Sequence, residues 1–264
     1  MMMKGKLVKE IIVSAAVFAA IWVFFTYFPV LFPDEDTPVF SIDKEEQLGD
    51  LMLEHLLDPT SGYAKMDNPV VDSAIEIIAD RLLDSIGLTD YDYHLHVVHS
   101  DQINAFTLPG GNILILSGLL DFANSPEEVA AVLAHEIGHV EHRHVIQNLI
   151  KEFTLAIMFA VLTGGDAIML QEISKTVLST AFSRKAEEQA DNYALDLLVK
   201  CEVRPSSMAT FFRRLSREKG SYTEELEVFM THPHNNARIK KAMTYTLPAD
   251  FEEKAIALDW DKVK

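Results

Sequence analysis

His135 and His139 stand four residues apart, with Glu136 directly after the first, in the run His135-Glu136-Ile137-Gly138-His139. On an α-helix that spacing puts both imidazoles on one face, one turn apart, where they can share a single metal ion. Zinc suits such imidazole donors, and it lowers the pKa of a bound water towards about 7. Glu136 is placed to take that water's proton as the water attacks a carbonyl carbon. The residues before the motif, Ala130-Ala131-Val132-Leu133-Ala134, carry no polar side chain, so this helix is buried and its histidines and glutamate need partners.

A catalytic zinc commonly takes three protein ligands and keeps one position open, so a third ligand must come from elsewhere. On a continuing helix His142 lies about 10 Å along the axis from His135, and His144 points to the opposite face. Both are therefore read as solvent-facing or as partners behind the ligands. A better candidate is Glu187, in Ser183-Arg184-Lys185-Ala186-Glu187-Glu188-Gln189-Ala190-Asp191. Glu187 and Asp191 are four apart and share a helical face, so one can bind the metal while the other accepts a hydrogen bond from a ligand histidine.

The elements that must position these side chains are mostly helical. Asp43 to Leu57 and Val70 to Ile86 show helical apolar spacing. Tyr93 to His99 alternates as a strand does, and Asn104–Thr107 and Asn112–Leu116 predict two more, joined by the turn Pro109-Gly110-Gly111. The motif helix starts at Ser125 as N-cap, with Pro126 in the first helical position and Glu128 closing a capping box. Further helices are predicted over Gln171 to Val199, after Pro205, and over Asn236 to Tyr245, with Cys201 as a small buried hydrophobe.

The 264 residues carry a net charge of -17, and residues 1–10, with three lysines against Glu10, contribute +2. The acidic body excludes nucleic acid as a partner, because the phosphates would be repelled. It suits cationic or unfolded polypeptides. A single cysteine excludes an internal disulfide. Ile11 to Phe32 is 22 residues without a charge. As a helix it would span about 33 Å, matching a hydrocarbon core of roughly 30 Å. Lysines precede it and Asp34, Glu35 and Asp36 follow, which places the N-terminus in the cytoplasm and the rest across the membrane. The run ends in bulky Tyr27-Phe28-Pro29-Val30-Leu31-Phe32, unlike the small residues of a cleavage site, so it reads as an uncleaved anchor. A second apolar stretch, Leu155 to Leu162, is too short to span and reads, with Ala167 to Leu170 beyond Gly164-Gly165-Asp166, as a helix–turn–helix buried in the core or resting at the membrane surface.

Four segments occur in one order: Asn104 through Gly111, His135 through His139 with Arg143-His144 after it, Ser183 through Asp191, and Thr231-His232-Pro233 with Arg238. Together they resemble the gluzincin metalloproteases of the HtpX, BepA and CAAX-prenyl-endopeptidase type, over roughly residues 44–245. The resemblance implies one zinc ion per chain, held by His135, His139 and Glu187, with Glu136 as general base and Asp191 as the partner of a ligand histidine, His135 before His139. It implies that Asn104 and Ala105 lie on a strand at the cleft edge, where an extended peptide can add by main-chain hydrogen bonds. His232 and Arg238 match catalytic-site residues of the family. The histidine there is either a fourth ligand in a latent state or a stabiliser of the oxyanion. Members with several membrane spans differ from this chain, for which one is predicted, and no tetratricopeptide-like extension is expected after the catalytic part.

The expectation is thus an α+β, mainly helical, zincin-like metalloprotease domain over 44–249 with a small β-sheet. It is preceded by a cytoplasmic 1–10, a transmembrane anchor 11–32 and a linker 33–43, and followed by a polar tail 250–264. The expected activity is zinc-dependent cleavage of internal peptide bonds in misfolded or membrane-associated proteins, from a bacterial inner membrane, on its periplasmic face. The rival reading is a non-proteolytic chaperone or adaptor that binds extended peptides in the same cleft.

Overall fold

The structure, a computed structural model, describes residues 40–58, 61–152, 167–179, 181–218, 232 and 236–264. The predicted anchor Ile11–Phe32 and the apolar stretch Leu155–Leu162 lie outside the described residues. Among the described residues no helix is long and apolar enough to cross a membrane.

Helix α1 (Ile42–Leu56) leads through a two-residue strand β1 (Ala64–Lys65) to α2 (Pro69–Ile86). Asn68 starts α2 by accepting a hydrogen bond from the N–H of Val70, with Pro69 as the first helical residue. Strands β2 (His94–His99), β3 (Ala105–Thr107) and β4 (Asn112–Leu116) follow, then a short α3 (Ser117–Phe122). The sheet order is β1-β2-β4-β3, with β2 and β4 parallel and both outer pairs antiparallel. This leaves β3 on the edge. The predicted turn between β3 and β4 is a single 3-10 turn, Pro109–Gly111, in which Gly110 (φ 76) and Gly111 (φ 92) are left-handed. A Cβ on Gly110 would lie 2.3 Å from the Glu46 Cα, so α1 can rest on the turn only because the residue is glycine.

The motif helix α4 (Pro126–Glu141) is buried almost all round, as its apolar run predicts. Its start differs from the capping box. The Ser125 side chain makes no cap bond, and the Glu128 carboxylate accepts instead from the Asn124 N–H at 2.8 Å while pairing with Arg214 at 2.9 Å. The arginine draws the glutamate away from the Ser125 N–H that a box would need. Helix α4 also stops sooner than a continuing helix would. His142 is its C-cap, Arg143 turns left-handed (φ 56), and a new helical segment runs over residues 144–152.

The single helix predicted over Gln171 to Val199 is two. Helix α5 (Ala167–Ser179) ends, residues 181–183 are non-helical, and α6 (Arg184–Lys200) begins. Ser183 is the reason: extended at ψ 154, its hydroxyl accepts from the Ala186 N–H and caps a new N-terminus. Helices α7 (Ser206–Glu218) and α8 (Asn236–Met243) follow among the described residues. Cys201, the C-cap of α6, is buried as expected.

Residues Ile42–Lys264 form one compact unit. Its apolar core joins α2, α4, α6 and α7 to the inner face of the sheet. The segment 250–264 belongs to it: Ile256, Trp260 and Val263 are buried, and the Trp260 indole donates to the Ala123 carbonyl at 2.9 Å. The fold is mainly helical with a small four-stranded sheet, hence α+β.

Candidate active site

Helices α4 and α6 cross closely at Gly138. A Cβ there would meet the Ala190 carbonyl oxygen at 2.9 Å, so the motif glycine is what lets the two backbones approach. The approach brings Glu187 and Asp191 of α6 onto the histidine face of α4. Nε2 of His135 and Nε2 of His139 lie 3.1 Å apart, facing each other. Glu187 stands beside them, its Oε1 3.5 Å from His139 Nε2 and its Oε2 3.7 Å from His135 Nε2. His232 enters from the segment before α8, with Nδ1 2.9 Å from Glu187 Oε1 and 3.3 Å from His135 Nε2. Donor atoms of His135, His139, Glu187 and His232 all lie within 4.8 Å of one another, and all four residues are buried.

This donor set fits a zinc ion. Asp191 Oδ1 sits 3.1 Å from His135 Nδ1, which places that ring's proton on Nδ1 and turns the Nε2 lone pair inward. His139 likewise has its Nδ1 turned away, 3.0 Å from Nδ1 of His144. Two inward-facing imidazole nitrogens beside a carboxylate converge as acceptors, an arrangement a cation satisfies and a buried apolar site does not.

The charges around the centre support the same reading. Burial alone would raise the Glu187 pKa, but the neighbouring His232, with the other imidazoles gathered round it, holds the carboxylate well below the usual range. Burial is likewise outweighed at Asp191 by its bond to His135 and by Arg238, bringing it down to about 2. Burial pushes His139 well below the ordinary histidine value, and it brings His144 down to about 4. His232 is raised despite its burial, because Glu187 and Glu136 face it. Arg238 spans the two carboxylates of α6: Nε and Nη2 bind Asp191 at 2.8 and 2.6 Å, and Nη1 reaches Glu187 Oε2 at 2.7 Å.

Glu136 faces the other side of the centre. Its Oε2 accepts from the Thr107 hydroxyl at 2.9 Å, and its Oε1 is 3.6 Å from Nε2 of His232. Thr107 lies on edge strand β3, two residues beyond Ala105. Asn104 and Ala105 are themselves buried, and Asn104 Oδ1 has no hydrogen-bond partner among the described residues.

Two residues that bear on the site escaped the sequence reading. Thr107 was legible only as a strand residue, since nothing local shows that β3 passes under α4. Phe182, in the gap between α5 and α6, lies over the rings of His139 (centroids 4.0 Å) and His232 (5.4 Å). The one signal for it was Ser183, whose cap sets the gap. His142 does not join the donor group and stacks on His144 at 5.4 Å.

A metal-binding motif on one buried helix, completed by a glutamate from a second, defines a zincin-type centre. Residues 69–246 match peptidase family M48, and the chain belongs to that family. The resemblance carried by the four sequence segments is thereby borne out. Among its relatives is the beta-barrel assembly-enhancing protease of Yersinia pestis, 26% identical over 228 residues, covering 80% of this chain and 46% of the relative. Another is the mitochondrial metalloendopeptidase OMA1 of Schizosaccharomyces pombe, 31% identical over 169 residues, 62% of this chain and 50% of the relative. Metalloprotease LoiP of Escherichia coli K12 is 30% identical over 169 residues, 61% of this chain and 65% of the relative. The chain spans about half the length of the first two.

Proposed function

We propose that the chain is a zinc metalloendopeptidase that cleaves internal peptide bonds of misfolded or membrane-associated proteins in protein quality control. The observation that carries the reading is the buried convergence of His135, His139 and Glu187 beside a second carboxylate, Glu136. Membership of a peptidase family and the names of the relatives support it. Bound there, zinc would supply Lewis acidity, acidifying a water and polarising the scissile carbonyl.

The chain's own residues do the rest. Glu136, held by Thr107, accepts a proton from the attacking water and returns it to the leaving amine. Asp191 orients His135, and Arg238 holds Glu187 and Asp191 in register. Edge strand β3, from Ala105, offers the substrate backbone a strand to pair with, and Asn104, just before it, brings a buried side-chain amide oxygen to the same place. The predicted anchor 11–32 would hold the enzyme in a bacterial inner membrane with the site on the periplasmic face.

The test is cleavage of unfolded casein by the full-length protein, with N-terminal sequencing of the fragments. Internal cuts that stop on chelation and return with zinc are expected. Casein bound but left intact, with zinc present, would instead establish the non-proteolytic chaperone. Deleting residues 1–33 is expected to give a folded protein that no longer sediments with membranes, because Ile42–Lys264 is a compact unit of its own. Full-length protein released from membranes by carbonate would refute the anchor.

His232 serves as a latency ligand in this reading. Its Nδ1 lies beside the other donors, where it would compete with water or a substrate carbonyl for a bound zinc ion. His232→Ala is therefore expected to raise basal hydrolysis. Loss of an oxyanion donor would instead lower the rate by roughly 100- to 1,000-fold. Initial rates and zinc content of both proteins at one pH decide between the two signs.

A further inference from the structure

His144 lies five residues beyond His139, and on an unbroken helix the two would point about 140° apart. The break after α4 removes that separation. Arg143 takes the left-handed conformation (φ 56), which costs a non-glycine residue energy, and its guanidinium is held by the buried Glu45 of α1, with Nε and Nη2 at 3.0 and 2.8 Å. The reversed backbone carries the His144 ring beneath His139. There His144 is buried, its Nδ1 3.0 Å from His139 Nδ1 and its Nε2 3.4 Å from Gln189 Oε1 on α6.

We propose that His144 is a positioning residue for His139, fixing by its Nδ1 lone pair the ring orientation and tautomer with which His139 offers Nε2 to the metal. The inference rests on the zinc reading above. With Nε2 of His139 turned into the donor group, the ring's proton sits on Nδ1 and must be accepted. The nearest acceptor is His144 Nδ1, so the proton of His144 sits on Nε2 and is donated to Gln189. The chain His139 to His144 to Gln189 thus has one donor and one acceptor at each step. It does for His139 what Asp191 does for His135, with a neutral ring in place of a carboxylate, and it ties α4, the 144–152 segment and α6 to one orientation of the ligand. Glu45 and Arg143 act one step further out, by holding the backbone turn that makes the contact.

The experiment measures zinc dissociation constants by chelator competition for full-length protein and two variants, together with melting temperatures of the metal-free forms. His144→Phe keeps the ring volume and removes the acceptor. His144→Asn keeps an acceptor, its Oδ1, near the position of Nδ1. The phenylalanine variant is expected to bind zinc about 10- to 100-fold more weakly, and the asparagine variant to recover most of that loss. Equal zinc affinity of parent and phenylalanine variant overturns the proposal. So does an equal loss in both variants, or a loss matched by the fall in metal-free melting temperature, which marks a packing role. A parent that takes up no zinc removes the metal centre itself, and this inference with it.

Discussion

Glu136→Gln is expected to reduce peptide hydrolysis by roughly two to four orders of magnitude, the range a positioned general base contributes, while zinc content stays near that of the parent. Glutamine has nearly the same shape, and its side-chain oxygen can still accept from the Thr107 hydroxyl, so the residue stays in place. It cannot accept the proton of the attacking water. The donor group of His135, His139, Glu187 and His232 is untouched by the change, which is why metal content and rate should separate. Steady-state rates on unfolded casein, with metal analysis of the same samples, measure both. Cleavage at the parental rate would take Glu136 out of the mechanism.

Glu187→Ala is expected to lose most of the bound zinc and also to lower the melting temperature of the metal-free protein. The first effect follows from removing a carboxylate whose two oxygens face one imidazole each. The second follows from Arg238, whose Nη1 is 2.7 Å from Glu187 in a buried site. Breaking a buried ion pair by removing one partner typically costs about 3–5 kcal/mol, and the two bonds Arg238 keeps with Asp191 should bring the cost to the low end. Asp191→Ala should behave differently. It removes the partner of His135 and spares the donor group, so zinc affinity should fall by about 10- to 100-fold without being abolished. If both variants hold zinc as the parent does, Glu187 is not a ligand. Zinc titration and thermal unfolding of the two variants, with and without metal, separate the ligand from its orienting neighbour.

What the sequence by itself determined are the features with short-range causes. The four-residue interval between His135 and His139, and between Glu187 and Asp191, fixes a shared helical face wherever the helices lie. The apolar run before His135 predicts burial, and Pro109-Gly110-Gly111 predicts the turn at the left-handed glycines. The strands β2, β3 and β4 appear within one residue of their predicted bounds, because alternation and turn residues act locally.

Tertiary structure alone decided the features that depend on segments far apart in the chain. Helical periodicity continues through Gln171 to Val199, yet the Ser183 cap divides it and delivers Phe182 to the face of His139. Whether a serine caps or merely decorates a helix depends on whether α6 gains more by docking on α4 than by continuing α5. A helix continued past Glu141 would turn His144 away from the His135–His139 face. Arg143 ends it there, and Arg143 is held by Glu45, 98 residues earlier in the chain. Thr107 reaches Glu136, and Arg238 spans Glu187 and Asp191, only because the sheet edge, α4, α6 and α8 meet at one point. A sequence pattern carries the chemistry of a ligand and the face it occupies. The partners that orient it come from other elements, and packing of the whole core selects them.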